Sequence, residues 1–506
     1  MVPFAESQYK KIHHILKKNA GCDIYKKHLI HHLRDEDVLE TLHSEFASQV
    51  PAYRRKDYYY TLQRELAEKD LSDVQVMTTP NLIAKDRPYA FATSREHYFP
   101  VSEDMLRNFL KVQREFYDGT ILGIEAIKGL VFSVYETPHI DVEDGMRVSN
   151  FHALAASIYK KALFKKGHFC PEVKDLLDTG KSRYQRLHIF LTALEERGEA
   201  VEAIIAQPQT LLEMKMLLSQ REGRNVSLKE ICPNLKLYIH YGAPVTSYQR
   251  ELQEFFDGMH PHYLEMYFHP SGALATQVDA KLQKELALRD DLDVFYEFVP
   301  EEDVDASGHI KRNARRLHAG KVREGERYLL LVTNGTGLLA HNTEDIVEVV
   351  SKEPFHIIYR GLAEKLNYFG EAIALDMMEE VIAEGNDTLQ NYGFLIREYM
   401  IADDFEHKEA LWIFELDQPV MKIQEQVLQS LANTLNTEME LRNARYRHAV
   451  RGSMALPKMV FVSMGTFSAT HADSQLMHID TSEGAYQAKY VLSQASERRT
   501  FKPQET

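Results

Sequence analysis

Residues 89–102 read YAFATSREHYFPVS and place two hydroxyl side chains, Thr93 and Ser94, directly before Arg95. Hydroxyl, guanidinium and backbone amide groups all bind phosphate oxygens, and a guanidinium does so with two parallel hydrogen bonds. Loops that surround phosphates are rich in glycine, because the backbone must approach the anion closely. Two interpretations therefore stay open: the mouth of a nucleotide site whose glycine-rich loop is missing, or a strand that runs into a turn.

Two groups of histidines have spacings that suggest metal binding. The first group is His28, His31 and His32, and the second is His260, His262, Glu265 and His269. The first group could share a helix face but has no acidic partner at ligand spacing, and prolines 261 and 270 interrupt the second. We favour a solvated helix face for the first and a strand with a loop for the second, and we predict no metal site.

These side chains need elements to position them, and the periodicity of apolar residues changes along the chain. Apolar residues recur every three or four positions in the first 120 residues and again in 150–220, which predicts amphipathic helices. Short runs rich in aromatic and branched residues then predict strands, among them LKLYIHYGAP, YLEMYF, VFYEFV and RYLLLVTNGTG. After Glu371 the pattern predicts a helix, the strand ALWIFEL, a long helix from Val420 to about Arg447, and a strand in KMVFVSMGTF.

This order predicts an α/β protein with two domains. Residues 1–373 are expected to form a large mixed α/β N-terminal domain, and residues 374–506 a smaller α+β C-terminal domain. At 506 residues and 44% hydrophobic side chains, the chain is long enough to bury a large core and too long for one compact domain.

Composition limits the partners. The formal net charge of −15 repels polyphosphate backbones, so we predict that nucleic acid is not a partner. No run of apolar residues approaches the ~20 that span a membrane, and the N-terminus lacks a secretory signal, so we expect no membrane partner. The three cysteines lie far apart, which fits a reducing compartment and predicts a cytoplasmic location. Oligomeric state cannot be read from the sequence.

The stretch from Tyr328 to Ile373 is the most informative part of the sequence. It reads as a strand, a glycine turn, an acidic turn, two further strands and an Asn-x-x-Gly-Glu motif. This order resembles the auxin-responsive acyl-acid-amido synthetases, the Gretchen Hagen family of the adenylate-forming superfamily. The matching residues are Gly337, Leu338, Asp345, Arg360, Asn367, Gly370 and Glu371. Further segments between residues 58 and 495 match in the same order, including Gln487 and Lys489 near the C-terminus.

The resemblance implies an enzyme that activates a carboxylic acid with ATP and Mg²⁺ to an acyl-adenylate. An amino acid or another amine then displaces AMP to form an amide, and the C-terminal domain moves between the two steps. By this resemblance, Lys489 is the catalytic residue that approaches the phosphates, Tyr248 flanks adenine and Asp345 accepts the ribose hydroxyls. The remaining positions assigned to nucleotide binding are Thr93, Ser94, Arg95, Tyr267, Ser271 and Arg360.

The motifs depart from the family pattern in ways that all weaken phosphate or metal binding. The family has a segment like TSGTTGKPKYIPVT, whereas Thr93-Ser94 is followed directly by REHYFPVS, which removes GTTG. Ser271 replaces a glutamate that would help to organise magnesium, and Asn342 and Glu344 replace an arginine and a glycine. Each change removes positive charge or a metal ligand, or adds a repelling charge, in a pocket where such contacts are worth roughly 3 kcal/mol each.

Two functions therefore remain open. The chain is either a divergent acid-amido synthetase, in which Arg95, His97 or Lys489 supplies the lost phosphate contacts, or a noncatalytic binding module on the same fold. The identities of the acid and of the amine are not readable from the sequence.

Overall fold

The computed structural model describes most of the chain. The described residues are 3–20, 25, 27, 28, 38–54, 89–94, 97–101, 103–117, 123–134, 141–143, 146–149, 168–169, 183–241, 245–269, 271–279, 284–335, 337–367, 369–404, 409–463 and 490–492.

Contacts divide the chain into two compact units. Among the described residues, unit 1 contains those up to Asp303 together with Arg312–Tyr359. Unit 2 contains Val304–Lys311 and the described residues from Arg360 onward. The division predicted after Ile373 remains a prediction.

The helices described in unit 1 are amphipathic and pack one apolar face against strands or against other helices. They are α1 (Phe4–Asn19), α2 (Leu39–Gln49), α3 (Glu103–Tyr117), α4 (Arg183–Arg197), α5 (Pro208–Glu222), α6 (Leu228–Ile231) and α7 (Gln249–Phe256). In α1 the buried residues Ile12, Ile15 and Leu16 follow the three-and-four spacing of one helix face. Lys17 and Lys18 lie in its last turn, where positive charge is favourable.

A four-stranded sheet of unit 1 contains the opening stretch of the sequence analysis. Its strands are β1 (Tyr89–Ser94), β2 (His97–Val101), β4 (Asp141–Glu143) and β5 (Met146–Ser149), in the order β2, β1, β5, β4. β1 and β2 pair antiparallel, and Ser94 is opposite His97. The connection between these two strands is therefore only residues 95 and 96.

A second sheet has twelve described strands. They are β3 (Leu130–Ser133), β6 (His168–Phe169), β7 (Val201–Ile205), β8 (Leu237–His240), β9 (His262–His269), β10 (Gly272–Thr276), β11 (Leu286–Leu288), β12 (Val294–Pro300), β13 (Leu317–His318), β14 (Arg327–Asn334), β15 (His341–Lys352) and β16 (Phe355–Leu362). The order across the sheet is β13, β12, β14, β15, β16, β11, β10, β9, β8, β7, β3, β6. The run from β9 to β6 is parallel, and the described pairs on the other side of β9 are antiparallel.

The antiparallel half of this sheet curls strongly. β9 and β15 are separated by three strands, which would place them about 19 Å apart in a flat sheet. Nevertheless, the hydroxyl of Tyr267 on β9 donates a hydrogen bond to Asp345 on β15. Tyr296 Oη on β12 likewise reaches the carbonyl oxygen of Leu274 on β10, at 2.8 Å. The curl therefore brings side chains from distant strands into one interior.

Unit 2 is a small α+β assembly. Its elements include α8 (Leu375–Leu389), β17 (Ile396–Asp404), β18 (Glu409–Leu416), α9 (Glu425–Arg442), α10 (Ala444–Val450), β19 (Lys458–Val462) and β20 (Tyr490–Leu492). The four strands lie in the order β19, β18, β17, β20, and the buried Trp412 packs on Tyr446 with ring centroids 5.7 Å apart. A core formed largely by α8, α9 and the strands holds this unit together.

The long helix predicted from Val420 to about Arg447 is interrupted. Val420–Lys422 is a single 3₁₀ turn, α9 ends at Arg442, and α10 begins after Asn443. Asn443 has extended backbone angles, and its Oδ1 accepts hydrogen bonds from the backbone amides of Arg445 and Tyr446. Asparagine at this position ends one helix and caps the next, a role that helical periodicity alone does not reveal.

The predicted mixed α/β class is confirmed, with the strands placed where the aromatic and branched runs predicted them. Within the described ranges, no helix is both long and apolar enough to cross a membrane.

Candidate functional site

The curled sheet of unit 1 buries an acidic side chain, Asp345, and places tyrosine hydroxyls on both of its carboxylate oxygens. Asp345 is 4% exposed. Tyr267 Oη donates a hydrogen bond to Asp345 Oδ2, and Tyr359 Oη donates to Asp345 Oδ1 at 3.4 Å. The carboxylate is thus oriented by two hydroxyl groups, which is the arrangement that a ligand diol could also supply.

The backbone around Asp345 is fixed by its own neighbours. The amide of Asp345 donates to Thr343 Oγ1 at 3.2 Å, and the Thr343 hydroxyl donates to the carbonyl oxygen of Leu330 at 2.9 Å. Glu344 has a φ of 67°, a left-handed conformation that glycine adopts more readily. Its amide donates to Asn342 Oδ1 at 2.8 Å. These contacts set the direction of the Asp345 side chain before any ligand arrives.

Asp345 and Glu344 are consecutive acidic residues of β15, where the sequence had predicted a turn. Glu344 Oε1 lies 3.5 Å from Arg54 Nε, and both side chains are about one-third exposed or less. The Arg54 guanidinium is therefore already engaged by a carboxylate. Because Glu344 stands where the family pattern has a glycine, it adds negative charge next to Asp345.

The aromatic rings of Tyr267 and Tyr359 form one wall of the site. Their centroids lie 5.7 Å apart and their planes are inclined by 49°. Tyr267 is fully buried and Tyr359 is 9% exposed. Such a pair offers apolar surface with a polar group at one end, which suits a flat heteroaromatic ligand with attached hydroxyls.

Ser271 lies at the turn that follows β9, and it makes hydrogen bonds with His269 and Asn334. Its hydroxyl and its backbone amide both donate to His269 Nδ1, at 2.7 and 3.0 Å. Its carbonyl oxygen accepts from Asn334 Nδ2 at 2.9 Å. Because Nδ1 accepts both bonds, we assign the ring proton of neutral His269 to Nε2. The His269 ring in turn packs on His341, with centroids 5.4 Å apart.

A small cavity of about 20 Å³ adjoins Ser271, which is space for about one water molecule. Its walls combine apolar groups with a few polar ones. The lining residues are Met105, Asn108, Ser271, Gly272, Ala273, Leu292, Asp293, Val294, Asn334 and Gly335. Ser271 is common to this cavity and to the residues predicted from the sequence.

The described part of residues 89–102 forms two paired strands. Thr93 and Ser94 end β1, and Ser94 lies opposite His97 in β2. Arg95 and Glu96, which connect the two strands, lie outside the described residues. Both interpretations of this stretch therefore stay predictions.

The other predicted site residues are less informative. Tyr248 is 4% exposed and directly precedes α7. Arg360 follows Tyr359 in β16 and is the first residue of unit 2 after that strand crosses the division. Arg95 and Lys489 lie outside the described residues. The roles of Tyr248, Arg360, Arg95 and Lys489 in nucleotide binding and catalysis therefore stay predictions.

Two of the histidines considered for metal binding, His28 and His269, have other contacts. His28 contacts the carbonyl oxygen of Gln49 through Nδ1 at 3.1 Å and the Tyr53 hydroxyl through Nε2. His31 and His32 lie outside the described residues. Over the part of the chain that the structure describes, no group of three or more histidine, cysteine or acidic side chains has the arrangement of a metal site.

A second buried carboxylate, Glu297, has cationic partners. Arg316 binds it through two guanidinium nitrogens, with Nη2 2.7 Å from Oε2 and Nε 3.1 Å from Oε1. His43 Nε2 lies 3.0 Å from Glu297 Oε1. Burial acts to raise the pKa of Glu297, but Arg316 and His43 outweigh it and hold the pKa at about 2.

The sequence analysis missed two groups that contact Asp345. Tyr359 and Thr343 both bind it, yet neither was selected. Tyr359 immediately precedes the selected Arg360, and the exposed and buried positions alternate along this end of β16. That alternation shows that Tyr359 faces the interior, but not which side chain it meets there.

The family comparison matches the segment that contains two of these residues. The GH3 family central domain model matches residues 290–359, a segment that contains both Asp345 and Tyr359. This match confirms the resemblance to the Gretchen Hagen (GH3) family over that segment. No curated protein matches the chain by sequence.

Solved structures share the fold at low sequence identity. "AtGH3.15 acyl acid amido synthetase in complex with 2,4-DB" is 13% identical with a TM-score of 0.73, covering 98% of this chain and 92% of that chain. A second structure titled GH3.15 acyl acid amido synthetase is 13% identical with a TM-score of 0.68, covering 92% and 88%. A 2-hydroxyisobutyryl-CoA ligase in the postadenylation state with 2-HIB-AMP is 11% identical with a TM-score of 0.61, covering 97% and 90%. The fold is that of adenylate-forming enzymes, as predicted.

Proposed function

We propose that the chain is a divergent acyl-acid-amido synthetase, which joins a carboxylic acid to an amino acid or another amine through an acyl-adenylate. The observation that carries this proposal is the buried Asp345 carboxylate with a tyrosine hydroxyl on each oxygen, inside the segment that matches the GH3 central domain. The solved structures of similar fold include an acyl acid amido synthetase and a ligase with a bound acyl-AMP, which supports the same reaction class.

In this proposal Asp345 binds the nucleoside. Its carboxylate accepts hydrogen bonds from the two ribose hydroxyls, which take the places of the Tyr267 and Tyr359 hydroxyls. Exchanging one hydroxyl donor for another costs little net free energy, and hydrogen bonds to a charged group contribute about 1.5–3 kcal/mol. The aromatic rings of Tyr267, Tyr359 and Tyr248 supply apolar surface for the base.

The residues fit the nucleoside but not a magnesium-bound triphosphate. Ser271 supplies a hydroxyl where a carboxylate ligand was expected, and that hydroxyl is already bonded to His269. Mg²⁺ is usually held by carboxylates together with substrate phosphates. The glycine-rich residues of the family pattern are missing after Ser94, and Glu344 adds negative charge. We therefore derive no step that depends on Mg²⁺.

The chemical step needs an activated acyl group and a nearby amine. Holding the two in line converts a bimolecular encounter into a reaction between oriented groups, which is the largest effect that a site without an acid or base can supply. We propose a small carboxylic acid as the acyl source and an amino acid or amine as the acceptor. Lys489 remains the proposed catalytic residue, and the net charge of −15 supports a function without nucleic acid. We propose a cytoplasmic location, supported by the few, scattered cysteines.

The proposal is tested by amide formation. The purified chain is incubated with a panel of acids, ATP and Mg²⁺, or with the corresponding synthetic acyl-adenylates, together with amino acids, and amides are detected by mass spectrometry. We expect amide above the uncatalysed background, and an at least tenfold loss in Asp345→Asn. Lys10→Ala, an exposed substitution in α1, is the matched control and should keep full activity.

Amide formation that persists in Asp345→Asn would contradict the assigned site. No amide from any acid or adenylate, in a protein that still binds adenosine compounds, would favour the noncatalytic alternative on the same fold.

A further inference from the structure

We call Asp345, Tyr267 and Tyr359 the nucleoside end of the site. We call the connection of β1 to β2, Glu344 and Ser271 its phosphate end. The two ends differ in the binding groups that the chain provides. At the nucleoside end, Asp345 is buried, its backbone is fixed by Thr343, and two hydroxyls orient its carboxylate. These are the properties of a preorganised binding group, which loses little freedom when a ligand binds. The chain therefore retains a built receptor for a sugar diol.

Three features of the phosphate end make it less suited to binding phosphate groups than the family pattern. The β1–β2 connection has two residues, as the pairing of Ser94 with His97 requires. Glu344 carries a carboxylate in a strained left-handed conformation beside Asp345, and it engages Arg54. Ser271 offers a hydroxyl that is committed to His269. A triphosphate with its metal would meet added negative charge here, with few backbone amides to offset it.

We propose that this site takes a preformed acyl-adenylate, supplied by a separate ATP-dependent acid-activating enzyme, and carries out only the amide-forming half of the reaction. This inference rests on the proposed function and restricts its substrate. An acyl-adenylate carries one esterified phosphate and far less negative charge than ATP, so it needs neither the glycine-rich loop nor the metal.

The reaction balances without a further reactant. The amine nitrogen attacks the acyl carbonyl carbon and forms the C–N bond. The bond between that carbon and the bridging oxygen of the mixed anhydride breaks, and the oxygen leaves with the electron pair as part of AMP. The attacking amine releases one proton to solvent water. Energy for the amide bond comes from the anhydride, so no ATP is hydrolysed at this site.

Calorimetric titration of the full chain separates this inference from the proposed function. The probes are AMP, ATP with and without Mg²⁺, and 5′-O-(N-benzoylsulfamoyl)adenosine, a stable analogue of an acyl-adenylate. We expect AMP and the sulfamoyl analogue to bind at least tenfold more tightly than ATP, with no effect of Mg²⁺. Asp345→Asn should weaken the binding of both at least tenfold. Benzoyl-AMP with amino acids should give amides, whereas benzoate with ATP and Mg²⁺ should give none.

Three other results would overturn the inference, and they differ in what they imply for the proposed function. Binding of ATP with Mg²⁺ at least as tight as that of AMP, with dependence on Asp345, would overturn the inference and leave the proposed function intact. Amide from acid and ATP would do the same. Failure of every adenosine compound to bind to a chain that is folded by circular dichroism would overturn both.

A gain-of-function variant provides a second test. Inserting Gly-Thr-Thr-Gly between Ser94 and Arg95 lengthens the turn to the extent that the family pattern has. We expect this insertion to increase ATP affinity at least tenfold without changing AMP affinity. An unchanged ATP affinity in a folded variant would contradict the assignment of the short turn as the cause. If the variant does not fold, the titration of the unmodified chain decides.

Discussion

Two buried carboxylates in the same 70-residue segment, Glu297 and Asp345, have different kinds of partner. Glu297 is fully buried and bound by the Arg316 guanidinium and by His43. Asp345 is 4% exposed and carries the hydroxyls of Tyr267 and Tyr359. Both residues lie within residues 290–359, so neither the family match nor burial distinguishes them.

The type of partner tells them apart. A buried carboxylate with a bidentate guanidinium partner is expensive to separate, because either charge left alone pays its full desolvation cost. Hydroxyl partners can be exchanged for those of a ligand with little net cost. We therefore interpret Glu297 as a structural group and Asp345 as a binding group.

The largest test of this contrast is Arg316→Ala. It leaves Glu297 buried without its main cation, and we expect a loss of about 3–5 kcal/mol in the free energy of unfolding. Asp345→Asn keeps one acceptor oxygen and replaces the other with an amide N–H₂ group, and we expect a smaller loss of about 1–2 kcal/mol. Urea unfolding followed by circular dichroism measures both. The double variant Glu297→Gln with Arg316→Met should recover most of the loss, and equal losses in the two single variants would break the contrast.

The second largest expected effect is the decrease in the free energy of unfolding as the pH falls. The pKa of Glu297 is depressed from about 4.5 to about 2 in the folded chain, so the unfolded state binds its proton first as the pH falls. The stabilisation is fully present above pH 4.5 and is lost between about pH 4.5 and pH 2. The pKa difference corresponds to at most about 3 kcal/mol.

We expect the unfolding free energy of the unmodified chain to fall over this range more steeply than that of Glu297→Gln. Parallel slopes for the two proteins would show that Glu297 does not contribute to acid unfolding.

Removing each tyrosine hydroxyl tests whether the contacts of Asp345 stabilise the fold. Tyr267→Phe removes the shorter contact, and we expect a loss of about 1–2 kcal/mol in unfolding free energy. Tyr359→Phe removes a 3.4 Å contact, and we expect less than about 1 kcal/mol because hydrogen bonds weaken with length. Neither variant should weaken AMP binding more than threefold, since ribose hydroxyls replace these groups. Losses larger than that of Arg316→Ala would assign Asp345 a structural role.

The smallest expected change in the free energy of unfolding is for an exposed ion pair. Lys10 and Glu6 form an i,i+4 pair at 3.0 Å on α1, and their side chains are 62% and 55% exposed. We expect Lys10→Ala to change the unfolding free energy by less than about 0.5 kcal/mol, because water screens such a pair. Thermal and urea unfolding of this variant should overlay those of the unmodified chain. A larger change would mean that α1 depends on charges that its exposure does not reveal.

Much of the secondary structure follows from the sequence because strands and helices have different periods. The runs VFYEFV and RYLLLVTNGTG form β12 and β14, as predicted, whereas the nucleotide-binding role of Asp345 stays a prediction. The helix boundary at Asn443 was wrong in the prediction. A polar side chain that caps a new helix there interrupts an otherwise continuous pattern of apolar positions.

The sequence by itself determined the mixed α/β class and the loss of the glycine-rich segment after Ser94. Each of these depends on residues close together in the chain. Only the tertiary structure decided that Tyr267 and Tyr359 bind Asp345, because the contact with Tyr267 requires a sheet that curls enough to join β9 to β15. The same holds for Glu297, since its partners His43 and Arg316 are 254 and 19 residues away. Local patterns fix the elements, whereas packing between distant parts of the chain brings Arg316 and His43 to Glu297 and the two tyrosine hydroxyls to Asp345.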